Sequence, residues 1–150
     1  MRKHSKFEKS QDSIGFTFWQ THMLWSRQVK KVLTPFKLSH TQFVILSVIS
    51  YLGDEKTEVA QVDVSEMSQI DTMTISTSIK TLLKNGYLHR EKSQHDTRAY
   101  KLYLSDLGEE ALKKSLVAIE AIDQAFFYES GIEVSSFLGM LHELNGQTDA

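Results

Sequence analysis

Two helical patterns meet within a few residues in "VDVSEMSQIDTMTISTSIKTLLKNGY", Val62 to Tyr87, and a strand pattern begins directly after them. This constrains the chain more than any other feature. Asp63 with Glu66 has the spacing of a capping box for a short helix, and Asp71 or Thr72 can cap a second one, so two helices are expected to join around Gln69 to Thr72. The second places Ile75, Ile79, Leu82 and Leu83 on one face and stops at Asn85-Gly86. Its opposite face is Met73, Thr74, Thr77, Lys80, Thr81 and Lys84, which carries hydroxyls and cations but no acid. A short helix, a tight turn and a longer helix with such a face form a helix-turn-helix candidate, whose second helix would lie in a DNA major groove.

The next stretch, "YLHREKSQHDTRAYKLYLS", reads as a hairpin with a long tip. Tyr87 to Glu91 is extended, Lys92 to Arg98 turns, and Tyr100, Leu102 and Leu104 alternate with Lys101 and Tyr103 as in a half-buried strand. A hairpin after a helix-turn-helix is the winged-helix arrangement, with Lys92, His95 and Arg98 on the wing tip. An arginine there can enter a minor groove, where negative potential is focused, and Asp96 can brace it through a bidentate ion pair.

Charge along the chain favours the same reading. The net charge is -2, yet residues 72 to 101 hold six Lys/Arg against two Asp/Glu, whereas residues 102 to 150 hold two against nine. A basic segment within an acidic chain suggests one face that meets a polyanion. At 150 residues, with 41% hydrophobic and 24% charged positions, the chain suits one domain with a proper core. The apolar run "FVILSVISYL" is too short to span a membrane, and the opening "MRKHSKFEKSQD" lacks the apolar segment of a secretory signal, so a cytoplasmic protein is expected. With no cysteine, disulfides, thiolate metal sites and thiol chemistry are excluded.

The flanks are helical. "SIGFTFWQTHMLWSRQVKKVLTPF" returns Ile14, Phe18, Trp25, Val29, Val32 and Leu33 to one side and ends near Pro35, the sole proline. "SHTQFVILSVISYLG" follows, with Ser39 or Thr41 as cap and Gly53 at its end. Beyond the hairpin, Ser105 or Asp106 caps a helix carrying Leu112, Leu116, Ile119, Ile122 and Phe126. A last helix past Gly131 carries Val134, Phe137, Leu138, Leu141 and Leu144. Large exposed apolar faces are rare on monomers, so these terminal helices are expected to bury against a second copy, an intrachain bundle being the alternative.

Three runs together, "LSHTQFVIL", "QVDVSEMSQIDTMTISTSIKTLLKNGYLHR" and "HDTRAYKLYLSDLGEEAL", resemble the MarR family of bacterial transcriptional regulators over about two-thirds of the chain. The Asp96-x-Arg98 pair is similar to the family's wing signature, with Val64-Ser65 where Leu-Ala is commoner and Ser105 where threonine is usual. The resemblance implies a mainly α fold with a small β-hairpin wing (α+β). The winged helix-turn-helix lobe (38–105) would be flanked by dimerisation helices (7–37 and 106–148) within one domain, 1–150. It further implies a homodimer on double-stranded DNA, at a pseudo-palindromic operator, usually as a repressor.

On this reading Thr72, Met73, Thr74, Ser76 and Thr77 contact base edges and phosphates, while Lys80, Lys84 and Lys92 meet phosphates and Arg98 enters the minor groove. The recognition helix carries no arginine, so readout is expected to lean on shape and apolar contacts. Family members often respond to small aromatic ligands, for which Trp19, His22, Met23, Trp25 and Phe36 are candidate lining residues here; ordinary helix packing is the plainer role for each. No cofactor or metal is expected, because the six histidines form no HExxH and no i,i+4 pair, and no catalytic constellation is legible. The rival reading is a winged-helix adaptor or antagonist that works through protein contact.

Overall fold

A computed structural model describes residues 4–146. Residues 147 and 148, which the expected dimerisation region includes, lie outside the described residues, as do the first three residues of the opening polar run. Six helices and one hairpin follow in the order α1 (Ile14–Leu33), α2 (His40–Glu55), α3 (Gln61–Ser68), α4 (Thr72–Lys84), β1 (Leu88–Lys92), β2 (Tyr100–Leu104), α5 (Asp106–Asp123) and α6 (Val134–Leu144). The fold is thus mainly α with a two-stranded antiparallel wing. Two compact units divide the chain, residues 30–119 and residues 1–29 with 120–150, and the boundaries fall inside α1 and α5.

Within the unit of residues 30–119, α2 is the central element. Ile45, Leu46 and Ile49 are fully buried, and the helix packs on α3, α4 and β2. Its start is a true capping box: Ser39 accepts the Gln42 N–H at 3.1 Å while the Gln42 side chain accepts the Ser39 N–H at 3.0 Å. Gly53 does not end it, contrary to the sequence expectation. The helix runs to Glu55, and the Lys56 N–H closes it on the Leu52 carbonyl at 2.8 Å. From α4, Ile75, Ile79 and Leu82 enter the same core.

The hairpin pairs Leu88 with Leu104 and Lys92 with Tyr100, so Leu88, Leu102 and Leu104 point inward. Tyr100 breaks the expected alternation and is 45% exposed, with the Arg90 guanidinium 4.8 Å from its ring centre. Beyond the hairpin, Ser105 is the residue that starts α5: its hydroxyl accepts the Gly108 N–H at 3.0 Å and donates to the Gly86 carbonyl.

In the other unit, α5 widens into a π-helical turn over Gln124–Tyr128 before α6. Glu133 caps α6, accepting the Ser136 N–H at 2.8 Å and the Ser135 hydroxyl at 2.9 Å. Ser136 first, then Ser135, hold its carboxyl down from the usual carboxylate range to about 2. Since the folded state favours the charged form, this cap contributes above the ordinary carboxylate range and is lost as pH falls from there through about 2. An NMR titration should therefore show the Ser136 amide shifting in that window, and Glu133→Gln should abolish the shift.

Candidate nucleic-acid interface

The junction between α3 and α4 is made almost wholly by polar side chains. Helix α3 begins earlier than its sequence suggests: Asp63 is not the cap but the third helical residue, and its carboxylate reaches back to accept the Ala60 N–H at 2.8 Å and the Lys56 ammonium at 2.7 Å. The expected Asp63–Glu66 box is therefore replaced by an Ala60 start. At the other end Gln69 takes the left-handed conformation, φ 63°, that a glycine adopts more readily. Its N–H bonds to the Ser65 carbonyl at 3.0 Å and its side-chain amide to the Glu66 carbonyl at 2.9 Å, while the Ser65 hydroxyl donates to the Ile70 carbonyl at 2.7 Å. Asp71 then caps α4, accepting the Thr74 N–H at 2.8 Å and the Thr74 hydroxyl at 2.7 Å, bonds that hold its carboxyl below the usual range.

This junction fixes which face of α4 meets solvent. Thr72, Thr74, Thr77, Lys80 and Lys84 are exposed, and Met73 is 79% exposed. Ser76 sits half-buried at the margin, and the Thr74 hydroxyl is already committed as a donor to Asp71. What Thr74 retains for a partner is its methyl group and acceptor capacity.

The wing presents a second set. Lys92 and Arg98 are exposed, and the Arg98 side chain is 93% so. Asp96 does not form the expected bidentate pair with it: one contact, Nε to Oδ1, stands at 3.7 Å. The same oxygen accepts the Arg98 backbone N–H at 3.0 Å, which shapes the tip instead. Two other basic residues of the hairpin are spent internally, Lys101 on Glu91 at 3.4 Å and Arg90 on the Tyr100 ring. Lys80, Lys84 and Lys92 make no ion pair among the described residues, so with Arg98 they are the cations that α4 and the wing turn outward.

Sequence reasoning missed Glu58. Its carboxylate accepts the Ser93 hydroxyl at 2.6 Å and the Gln94 N–H at 3.0 Å across 35 residues of chain, and these two bonds hold its carboxyl below the usual range. A lone acid in a polar segment offers no periodic signal.

The aromatic candidates divide between the units. On α1, Trp19, His22 and Trp25 form a series with ring centres 6.5 and 6.2 Å apart, which Phe127 extends at 6.3 Å from Trp25. The Trp25 indole donates to Asp123 at 2.9 Å, the His22 ring lies 3.3 Å from the Ser26 hydroxyl, and Met23 is half-buried. The same unit holds an apolar cleft of about 720 Å³ that includes Phe126, Ile132, Phe137 and Met140, none of them anticipated as ligand-lining. Phe36 belongs to residues 30–119, where its carbonyl accepts the Tyr87 hydroxyl at 2.9 Å beside a cleft of about 620 Å³. Among the described residues no cluster of three or more His, Asp or Glu could hold a metal.

Comparison with known proteins agrees with this geometry. Residues 27–115 match the family of the transcriptional regulator SarA/Rot. The uncharacterized HTH-type transcriptional regulator YdcH of Bacillus subtilis is 38% identical over 144 residues, covering 96% of this chain and 97% of that protein. Among solved structures, CouR from Rhodococcus jostii bound to p-coumaroyl-CoA superposes with a TM-score of 0.80 at 20% identity, over 96% of this chain and 99% of that one. A MarR variant from E. coli complexed with operator DNA gives 0.80 at 15% identity, over 93% and 99%. Helix-turn-helix and wing, with the family match over more than half the chain, lead to one assignment: the chain belongs to the SarA/Rot transcriptional regulators, has the winged-helix fold of MarR proteins, and is a DNA-binding regulator rather than an enzyme.

Proposed function

We propose that the protein acts as a homodimer on a pseudo-palindromic operator, as a repressor of neighbouring genes that a small aromatic ligand relieves. The observation that carries the DNA part is the outer face of α4, where Met73, Thr74, Thr77, Lys80 and Lys84 are exposed with no acid among them, together with the outward cations of the wing. Thr72 and Ser76 stand beside this face, and residues 38–105 make up the reading lobe. Two such lobes about 34 Å apart would read successive half-sites. Recognition would combine methyl and acceptor contacts from α4 with phosphate contacts from Lys80, Lys84 and Lys92 and a minor-groove contact from Arg98. A chromosomal target in a bacterium implies a cytoplasmic protein, and no single described helix is long and apolar enough to cross a membrane.

Dimerisation through residues 7–37 and 106–148 is supported by what the terminal helices leave bare. Ile14 is 85% exposed, Phe18 59% and Leu144 81%, and α6 buries no residue fully. Apolar exposure on both terminal helices is what a dimer interface would cover. Ligand relief is supported by the aromatic series Trp19, His22 and Trp25 with Met23, and by the cleft at Phe36. Trp19 and Trp25 are the two tryptophans of the chain, so ligand entry should quench intrinsic fluorescence.

The test is a salt series by fluorescence anisotropy on a duplex taken from the gene's own upstream region, with Arg98→Ala as the variant. A cation in the minor groove displaces counterions as a phosphate contact does, so its loss from each lobe should flatten the plot of log K against log salt by about 0.9, and by roughly 1.8 for the dimer. Affinity should fall about tenfold at moderate salt. An unchanged slope would remove the wing from the interface, and failure of the parent protein to bind any upstream duplex would favour the adaptor role instead.

A further inference from the structure

We infer that Glu58, far from the wing in sequence, is the positioning residue that fixes the conformation of the wing tip and through it the placement of Arg98. The inference rests on the wing contact proposed above, and the chemistry is a relay of hydrogen bonds with no gap in it. Glu58 itself stands on a fixed base, since the adjacent Val59 is 3% exposed and its carbonyl accepts the Leu102 N–H of β2 at 2.8 Å. One carboxylate oxygen takes the Ser93 hydroxyl at 2.6 Å and the other the Gln94 N–H at 3.0 Å.

A serine hydroxyl has one donor and two acceptor sites. With its proton spent on Glu58, the Ser93 oxygen offers both lone pairs to the tip, and it receives the N–H groups of His95 and Asp96 at 3.1 Å each. The Asp96 side chain in turn accepts the Arg98 N–H at 3.0 Å, and the Asp96 carbonyl accepts the Ala99 N–H at 3.0 Å. The Ser93 N–H closes the loop on the Ala99 carbonyl at 3.0 Å. The backbone donors of Gln94, His95, Asp96 and Arg98 are thus held by Glu58, Ser93 or Asp96.

The rest of the tip is open. His95, Asp96, Thr97 and Arg98 are all exposed, and none of them is anchored by burial. Without Glu58 the Ser93 hydroxyl would be free to rotate toward water, the two acceptor directions would be released, and the tip would sample other conformations. A flexible arginine pays for its ordering when it enters a groove, so a preorganised one binds more tightly. Glu58 touches no DNA in this scheme and acts through Arg98.

Two measurements on the full-length chain test this. The first, without DNA, is amide hydrogen exchange at Gln94, His95, Asp96 and Arg98 in Glu58→Gln, in Ser93→Ala and in Ser93→Thr. The first two variants should speed exchange at His95 and Asp96 by at least about tenfold relative to β2 amides, and Ser93→Thr, which keeps the hydroxyl, should restore protection. Unchanged exchange in Glu58→Gln overturns the proposal. The second is duplex affinity in a double-mutant cycle, where Glu58→Gln alone should weaken binding about fivefold but add little to Arg98→Ala. Losses that add in full also overturn it. If Arg98→Ala binds as tightly as the parent, the wing contact proposed in the preceding section is what fails, and the exchange result still decides whether Glu58 holds the tip.

Discussion

Alanine at Gly108 should lower the thermal midpoint by roughly 6–12 °C, although alanine is the better helix former. A Cβ at this position would lie 2.1 Å from the Tyr87 carbonyl oxygen and 3.0 Å from its carbon, so one backbone must move. Tyr87 has little freedom to yield. Its carbonyl accepts the Ser105 N–H at 3.1 Å and its hydroxyl donates to the Phe36 carbonyl at 2.9 Å, while the Ser105 side chain ties the Gly86 carbonyl to the Gly108 N–H. Helix propensity returns about 1 kcal/mol. Overpacking against a fixed backbone costs about 1–3 kcal/mol, and each hydrogen bond opened at the start of α5 about 1 more, which leaves a net loss near 3 kcal/mol. At roughly 2–4 °C per kcal/mol for a chain of this size, the stated range follows. Gly53→Ala is the control, because nothing lies within 4 Å of its Cβ position and the propensity gain should survive. Calorimetry on the two variants should give midpoint shifts of opposite sign, and a Gly108→Ala midpoint equal to the parent's would mean that α5 does not approach Tyr87 so closely.

Gly108 also marks the limit of what the sequence discloses. Periodic features were legible because they are local: Ile75, Ile79 and Leu82 fall on one face of α4 by spacing alone, and Asp71 caps that helix through atoms three residues away. Misreadings came where the local signal was missing or ambiguous. Ala60 offers no side-chain acceptor to mark the start of α3, and the nearest capping signal in the sequence is Asp63, whose carboxylate does take part but from inside the helix. Gly53 resembles a terminator, yet an ordinary helical backbone carries it and α2 continues for two more residues. Tyr100 has the right parity for burial, but it lies next to the tip, where Arg90 rather than core covers its ring.

The candidate interface was legible in part for the same reason. Exposure of Thr74, Thr77, Lys80 and Lys84 follows from the helical wheel once the buried face is known. The Asp96–Arg98 relation was expected as a side-chain pair and is chiefly a backbone turn, which sequence spacing cannot tell apart. Glu58 and the apolar cleft around Phe126, Phe137 and Met140 depend on contacts between distant segments and left no mark in the linear pattern.

Neighbouring residues on α4 should fail in opposite ways, which separates reading from folding. Ile79 is 2% exposed in the core, whereas Lys80 is exposed and makes no ion pair among the described residues. On the proposed interface, Lys80→Glu would replace a phosphate-facing cation with an anion, and in the proposed dimer it would do so twice. Each lost contact removes its counterion-release gain, and each new carboxylate is repelled by the phosphates it faces, so affinity at about 0.15 M salt should fall at least ~100-fold. Folding should hardly notice, since an unpaired surface substitution usually stays within about 0.5 kcal/mol. Ile79→Ala should do the reverse: the cavity it leaves costs about 2–5 kcal/mol, and binding by the fraction that remains folded should keep the parent's affinity and salt slope. Melting curves and anisotropy on the same four samples, the parent, each single variant and the double, decide the matter. Parent-like duplex affinity in Lys80→Glu would mean that the outer face of α4 does not meet DNA, whatever the wing does.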